Sequence, residues 1–243
     1  MRLISKLDCK PPYVVKPIHF EGLRKIGSPS EIANKHYLDG IDEVFYIDIV
    51  ASLYQREILF DEISKVSKNI LVPFAVGGGI KSIDDMSRLF HSGADKVVIN
   101  TFAVQNDPNI IDSAAKIFGS QAVVVNIEAK RNKNGWNCYS DCGRIDSKRD
   151  VISWASEVQE RGAGEIFLQS VDKDGTKSGF DIDLGQHVKE ILKIPLVLGS
   201  GAGSIEDIMK IKKVVNPSGV AISSILHYEM ESISRIKDSL EGF

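Results

Sequence analysis

Pro73 to Asp85 reads PFAVGGGIKSIDD, and Pro195 to Asp207 reads PLVLGSGAGSIED, 122 positions further on. Each is an apolar run, a glycine-rich turn and a serine-led helix start, which is the join between a buried strand and the helix after it. The match extends outward in both directions. Glu43-Val44-Phe45 pairs with Glu165-Ile166-Phe167 at the same shift, and Val97–Thr101 (VVINT) pairs with Val220–Ser224 (VAISS) at 123. Leu3–Lys10 (LISKLDCK) pairs with Val123–Lys130 (VVVNIEAK) at 120. A nearly constant offset over four strand pairs means a chain built twice. A doubly wound sheet reverses its strand order at the centre and predicts no such repeat, whereas an eight-stranded barrel does.

The reading is therefore an α/β protein, a (β/α)8 TIM barrel made of two (βα)4 half-barrels, roughly 1–120 and 121–243 of a single domain. Eight β-branched runs fit it: Leu3–Leu7, Val44–Val50, Val72–Val76, Val97–Asn100, Ala122–Ile127, Glu165–Ser170, Pro195–Leu198 and Val220–Ser223. Most are apolar throughout, as parallel strands covered on both faces are. Helix starts fall between them, at Ser28-Pro29-Ser30-Glu31 and Ser82-Ile83-Asp84-Asp85. The length of 243 residues is that of one such barrel.

Composition narrows the function. A net charge of -3 argues against nucleic acid or an acidic membrane as partner. No apolar run approaches the ~20 residues of a membrane span, and the N-terminus has no signal-peptide pattern, so a cytoplasmic enzyme is expected. Cys9, Cys138 and Cys142 show no CxxC spacing, which predicts reduced thiols rather than a metal site or a disulfide framework.

Barrel chemistry sits at the carboxyl ends of the strands. Gly77-Gly78-Gly79 and Asn100-Thr101 follow the third and fourth runs; their repeat mates Gly199-Ser200-Gly201 and Ser223-Ser224 follow the seventh and eighth. Glycine lets backbone N–H groups approach an anion, and the side chains add donors. One such turn is as readily structural; two at one offset predict two phosphate grips on opposite sides of the mouth. Asp8 and Glu128, also repeat mates, end the first and fifth runs and face each other across the barrel. Opposed carboxylates serve as general acid and base when their surroundings separate their pKa values; the plainer reading is ion pairing to Lys6, Lys10 or Lys130. Asp48, Asp172 and Asp174 add acidity and are read as loop-positioning. Arg2, Glu43, Lys96 and Glu165 each stand where a run enters the core. Such charges are costly unless paired, so a compensating ring competes with four ordinary surface charges. The five histidines have no triad spacing and are read as structural or surface groups. Trp136, in the polar loop Asn132–Arg144 after the fifth run, is expected to pack on the rim.

Nearly the whole chain resembles the cyclase subunit of imidazole glycerol phosphate synthase, in the histidine-biosynthesis barrel superfamily. The resemblance is carried by Leu7-Asp8, Val14-Val15-Lys16, Ile41-Asp42-Glu43, Asp48–Ser52 (DIVAS), Val76–Ile80 (VGGGI), Gly93–Lys96 (GADK), Ile99–Thr101 (INT), Phe118–Val124 (FGSQAVV), Arg161–Ile166 (RGAGEI), Ser170–Gly179 (SVDKDGTKSG) and Gly201-Ala202-Gly203. It implies a reaction in which ammonia adds to a bis-phosphorylated ribulosyl aminoimidazole carboxamide intermediate, and cyclisation and cleavage release imidazole glycerol phosphate and an aminoimidazole carboxamide ribotide. It implies Asp8 and Glu128 as the acid–base pair and no metal or other cofactor. Substrate binding falls on Lys16, in a flexible segment after the first strand, and on Gly79, Asn100, Thr101, Asp174, Gly175, Gly201, Ser223 and Ser224. It further implies a glutaminase partner on the amino-terminal face, with Arg2, Glu43, Lys96 and Glu165 matching the ammonia gate.

The departures all face the mouth. Glu128 stands where the family has Asp, Gln169 where Thr is usual, and Gly199-Ser200-Gly201 where the order is Ser-Gly-Gly. Lys10-Pro11-Pro12-Tyr13 replaces a flexible Asp-Gly turn, and Pro17-Ile18-His19 a Gly-Thr-Asn type of stretch. Two other readings therefore stay open: a paralogue that conducts ammonia to a sugar amidotransferase in surface-polysaccharide synthesis, and a phosphosugar isomerase of the same superfamily. A non-catalytic scaffold is a third.

Overall fold

The structure, a computed structural model, describes residues 1–241. The first half runs β1 (Arg2–Lys10), β2 (Tyr13–Ile18), β3 (Glu21–Gly27), α1 (Pro29–Leu38), β4 (Glu43–Asp48), α2 (Phe60–Ser67), β5 (Phe74–Gly77), α3 (Ile83–His91), β6 (Lys96–Ile99), α4 (Thr101–Gln105) and α5 (Asn109–Phe118). The second runs β7 (Val123–Arg131), β8 (Trp136–Ser140), β9 (Ile145–Asp150), α6 (Val151–Glu160), β10 (Glu165–Ser170), α7 (Ile182–Ile191), β11 (Leu196–Gly199), α8 (Ile205–Val214), β12 (Gly219–Ile222), α9 (Ser224–His227) and α10 (Ile233–Glu241). The two orders agree element for element. Strands β1, β4, β5, β6, β7, β10, β11 and β12 pair in parallel in that sequence, and β12 pairs back onto β1 to close the barrel.

Side chains alternate across the strands and divide the core in two. Leu3, Leu7 and Cys9 of β1 point outward into the large core under the helices. Ile4 points inward and packs with Phe45, Ala75, Val98, Val124, Phe167, Val197 and Ala221 along the barrel axis. Phe45 and Phe167, repeat mates, meet edge to face with ring centroids 5.2 Å apart. The helix starts repeat too: Ser82 accepts from the Asp85 N–H at the head of α3, and Ser204 from the Asp207 N–H at the head of α8.

Two expectations are corrected. The segment carrying Lys16 is an ordered strand, β2, antiparallel to the projecting end of β1, and β3 pairs with it in turn. The stretch Asn132–Arg144 likewise contains β8, which with β9 forms the matching flap on β7. Both barrel strands outrun the barrel, and the backbone groups of their free ends are satisfied by a returning strand. Among the described residues no helix is long and apolar enough to cross a membrane.

Candidate active site

Asp8 ends the inward series of β1 with no exposed surface. Lys6 Nζ lies 2.6 Å from its Oδ1, and Lys16 Nζ lies 3.2 Å from its Oδ2 and 3.1 Å from Asp174 Oδ1. Burial by itself raises a carboxyl pKa, but the two ammonium groups outweigh it and hold Asp8 below its ordinary value. Lys16, which burial by itself would push down, is held up at about 12 by Asp8 and Asp174. Of the three lysines considered as partners for the carboxylates, Lys6 is the one that reaches; Lys10 lies over the Tyr54 ring and Lys130 over Tyr139.

Glu128 has different surroundings. Its Oε2 accepts the Gly143 N–H at 2.7 Å, and the Asn126 amide stands 3.5 Å from Oε1. Burial lifts it to about 7, against the Gly143 hydrogen bond and the more distant Lys6 charge. One carboxyl is thus held ionised and the other is half-protonated near neutrality. That is the arrangement of a base and an acid.

Two cavities open at the mouth. The first is lined by Gly78, Gly79, Asn100, Thr101, Asn126 and Glu128, the second by Lys16, Asp174, Gly175, Gly201, Ser223 and Ser224. Every residue assigned to substrate in the sequence lies in one or the other. Each cavity joins the glycine turn of one half-barrel to charged residues of the other half: Glu128 beside Gly79, and Lys6 and Lys16, both paired with Asp8, beside Gly201. Gly201 takes φ +97°, and a Cβ there would stand 2.2 Å from the Gly179 carbonyl oxygen, so the close approach requires glycine. Asp48 positions its loop, pairing with Arg56 at 2.5 Å and accepting the Val50 N–H. Asp172 does so as well, through the Arg131 N–H at 2.8 Å.

The flap tips cover the carboxylates. His19-Phe20 (φ 51° and 62°) and Asp141-Cys142 (φ 48° and 60°) turn alike, again 122 positions apart. Phe20, Cys142, Val171 and Ile49 form a small apolar cluster over the axis. The Phe20 N–H donates to Asp174 Oδ2 at 3.3 Å, so both tips are tied to site carboxylates.

At the opposite end the four charges form a closed cycle. Arg2 pairs with Glu43 at 2.5 Å and with Glu165; Lys96 pairs with the same two at 2.7 and 3.1 Å. Glu43 has no exposed surface, and burial raises its carboxyl despite Lys96 and Arg2.

Sequence reasoning passed over Lys6 as an actor, and it passed over the pair inside the barrel formed by the Gln169 amide donating to Asn126 at 2.9 Å. Inward alternation along β1, β7 and β10 was the available signal. Trp136 is 5% exposed, wedged between the Arg131 guanidinium and the His187 ring. His36 and His227 are stacked outside the barrel, centroids 5.8 Å apart.

The sequence profile of the histidine biosynthesis protein family matches residues 2–232. The imidazole glycerol phosphate synthase subunit HisF of Campylobacter concisus is 44% identical over 99% of this chain and 95% of its own. Its namesake in Legionella pneumophila is 46% identical over 85% and 98%, and that of Helicobacter hepaticus 42% over 99% and 95%.

Proposed function

The chain belongs to the histidine biosynthesis protein family, and from that premise we propose that it is the cyclase subunit of an imidazole glycerol phosphate synthase. Ammonia adds to a bis-phosphorylated ribulosyl aminoimidazole carboxamide intermediate, and cyclisation and cleavage yield imidazole glycerol phosphate and an aminoimidazole carboxamide ribotide. The observation that carries this reading is a pair of carboxyl groups in unlike charge states, Glu128 lining one mouth cavity and Asp8 paired with the Lys6 and Lys16 that line the other. The cavities take the two phosphates and hold the reacting centre between Asp8 and Glu128. Asp8, already ionised, removes protons as the new bonds form. Glu128, protonated about half the time near pH 7, delivers one to the departing group. Because each cavity draws on both half-barrels, the whole chain works as one catalytic unit.

The relatives are named as a subunit, so the chain works within an assembly, and a glutaminase docked at the amino-terminal end would supply the ammonia. The Arg2–Glu43–Lys96–Glu165 cycle supports that placement: it is net neutral, stands across the axis and leads into the apolar interior. An isomerase has no use for such an inlet. A paralogue serving sugar amidation is not favoured, since the relatives carry the synthase-subunit name.

Purified chain, an ammonium salt and the ribulosyl intermediate test the proposal directly. Both products should appear without any glutaminase, and no imidazole product at high ammonium would overturn it.

A further inference from the structure

β1 sends Arg2, Ile4, Lys6 and Asp8 inward in succession. Arg2 belongs to the ionic cycle and Ile4 to the apolar interior, so Lys6 is the cation between that interior and the mouth. An ammonium with a side chain only 3% exposed is costly unless a carboxylate faces it, and Asp8 does, at 2.6 Å. Asp8 therefore has two ammonium partners, and they ride on different bodies. Lys16 stands on flap strand β2 and is shared with Asp174. Lys6 stands on the barrel wall. Asp8 has no exposed surface and Lys16 of the flap strand lies against its Oδ2, so a substrate reaches the carboxyl only if the flap lifts. Lifting the flap removes Lys16 and leaves Lys6.

The other titratable groups whose charge is felt at Asp8 cannot replace that ammonium. Burial keeps the Cys9 and Cys142 thiols neutral, and it lowers the His227 imidazole to about 3. Asp174 and Glu128 carry the wrong sign.

We propose that Lys6 is a positioning residue that keeps Asp8 ionised and oriented while the flap is open, so that the base is ready before Lys16 returns. Its contribution to turnover rests on the cyclase reading; its hold on the Asp8 charge does not.

The test is a carboxyl 13C NMR titration of Asp8 in the full chain, comparing wild type, K6M and K6R, beside ammonium-driven turnover across pH. In K6M, Asp8 should titrate at a pH at least about 1 higher. Turnover at saturating substrate should fall at least ~10-fold. The acidic limb should move up, and K6R should restore most of both. An unmoved Asp8 titration in folded K6M overturns the proposal whatever the turnover. A wild-type chain with no turnover sinks the cyclase reading instead and leaves the titration to decide Lys6. Should K6M fail to fold by circular dichroism, K6Q takes its place in the same Asp8 titration, and an unmoved Asp8 overturns the proposal.

Discussion

Asp8 and Glu128 are repeat mates that evolved opposite surroundings, two ammonium groups for one and amide donors for the other. Asp8→Asn should lower ammonium-driven turnover by about 10²- to 10⁴-fold, the usual worth of a positioned proton acceptor. Glu128 titrates at about 7, and an acid must carry its proton. Turnover at constant free ammonia should therefore decline as pH rises through about 7, and Glu128→Gln should abolish that limb along with most of the rate. Glu128→Asp draws the carboxyl back by ~1 Å from the Gly143 N–H, and a displacement of that size costs about 10²-fold. A variant that turns over faster would show that glutamate is a compromise here. The carboxylates were legible in the sequence because they end matching runs. Their unlike charge states were not, since Lys16 reaches Asp8 by way of a strand that the sequence presents as a loop.

At the scale of elements, helix starts were readable because serine and a carboxylate three positions on satisfy the first backbone donors locally. At α8 both halves of that exchange are present. Ser204→Ala should cost about 1 kcal/mol and lower Tm by about 2–4 °C in a chain of this size. The flaps were not readable. β3 and β9 are largely polar and exposed, and each forms only because a barrel strand projects far enough to template its neighbour. The Phe20 tip packs on three side chains, Cys142, Val171 and Ile49, and its N–H bonds to Asp174. Phe20→Ala should raise KM for the phosphorylated substrate several-fold while most of the thermal stability remains, as steady-state kinetics and a melt will show.

For the whole molecule, the ends of the barrel behave differently. Arg2→Ala leaves Glu43 and Glu165 facing each other with Lys96 alone between them. Because Arg2 is a third exposed, the loss should fall near or below the low end of the ~3–5 kcal/mol typical of breaking a buried pair. Burial raises the Glu43 carboxyl, so the deficit relative to wild type should shrink as acid protonates it, which paired denaturant melts would reveal. The same variant should keep ammonium-driven turnover and lose glutamine-driven turnover with the partner. Near the β12–β1 seam, His36 accepts or donates to Ser5 at 2.7 Å and stacks on His227; burial lowers the two imidazoles to about 4 and about 3 from 6.5. Groups depressed in the fold bind more protons when unfolded, so stability is full above 6.5 and drains as pH falls toward those values. Denaturant midpoints measured downward from pH 7 should track that fall, less steeply in His227→Asn. The sequence by itself determined the twofold barrel, the two glycine turns and the two strand-end carboxylates, because each is written in local periodicity and repeated at nearly one offset. Only the tertiary structure decided which charges meet: the closed ionic cycle, the flaps over the mouth and the Asp174–Lys16–Asp8–Lys6 chain join residues up to 163 positions apart. Strand starts marked the members of the ring, but charge pairing acts across space at a few ångströms, so only the fold sets which partners touch.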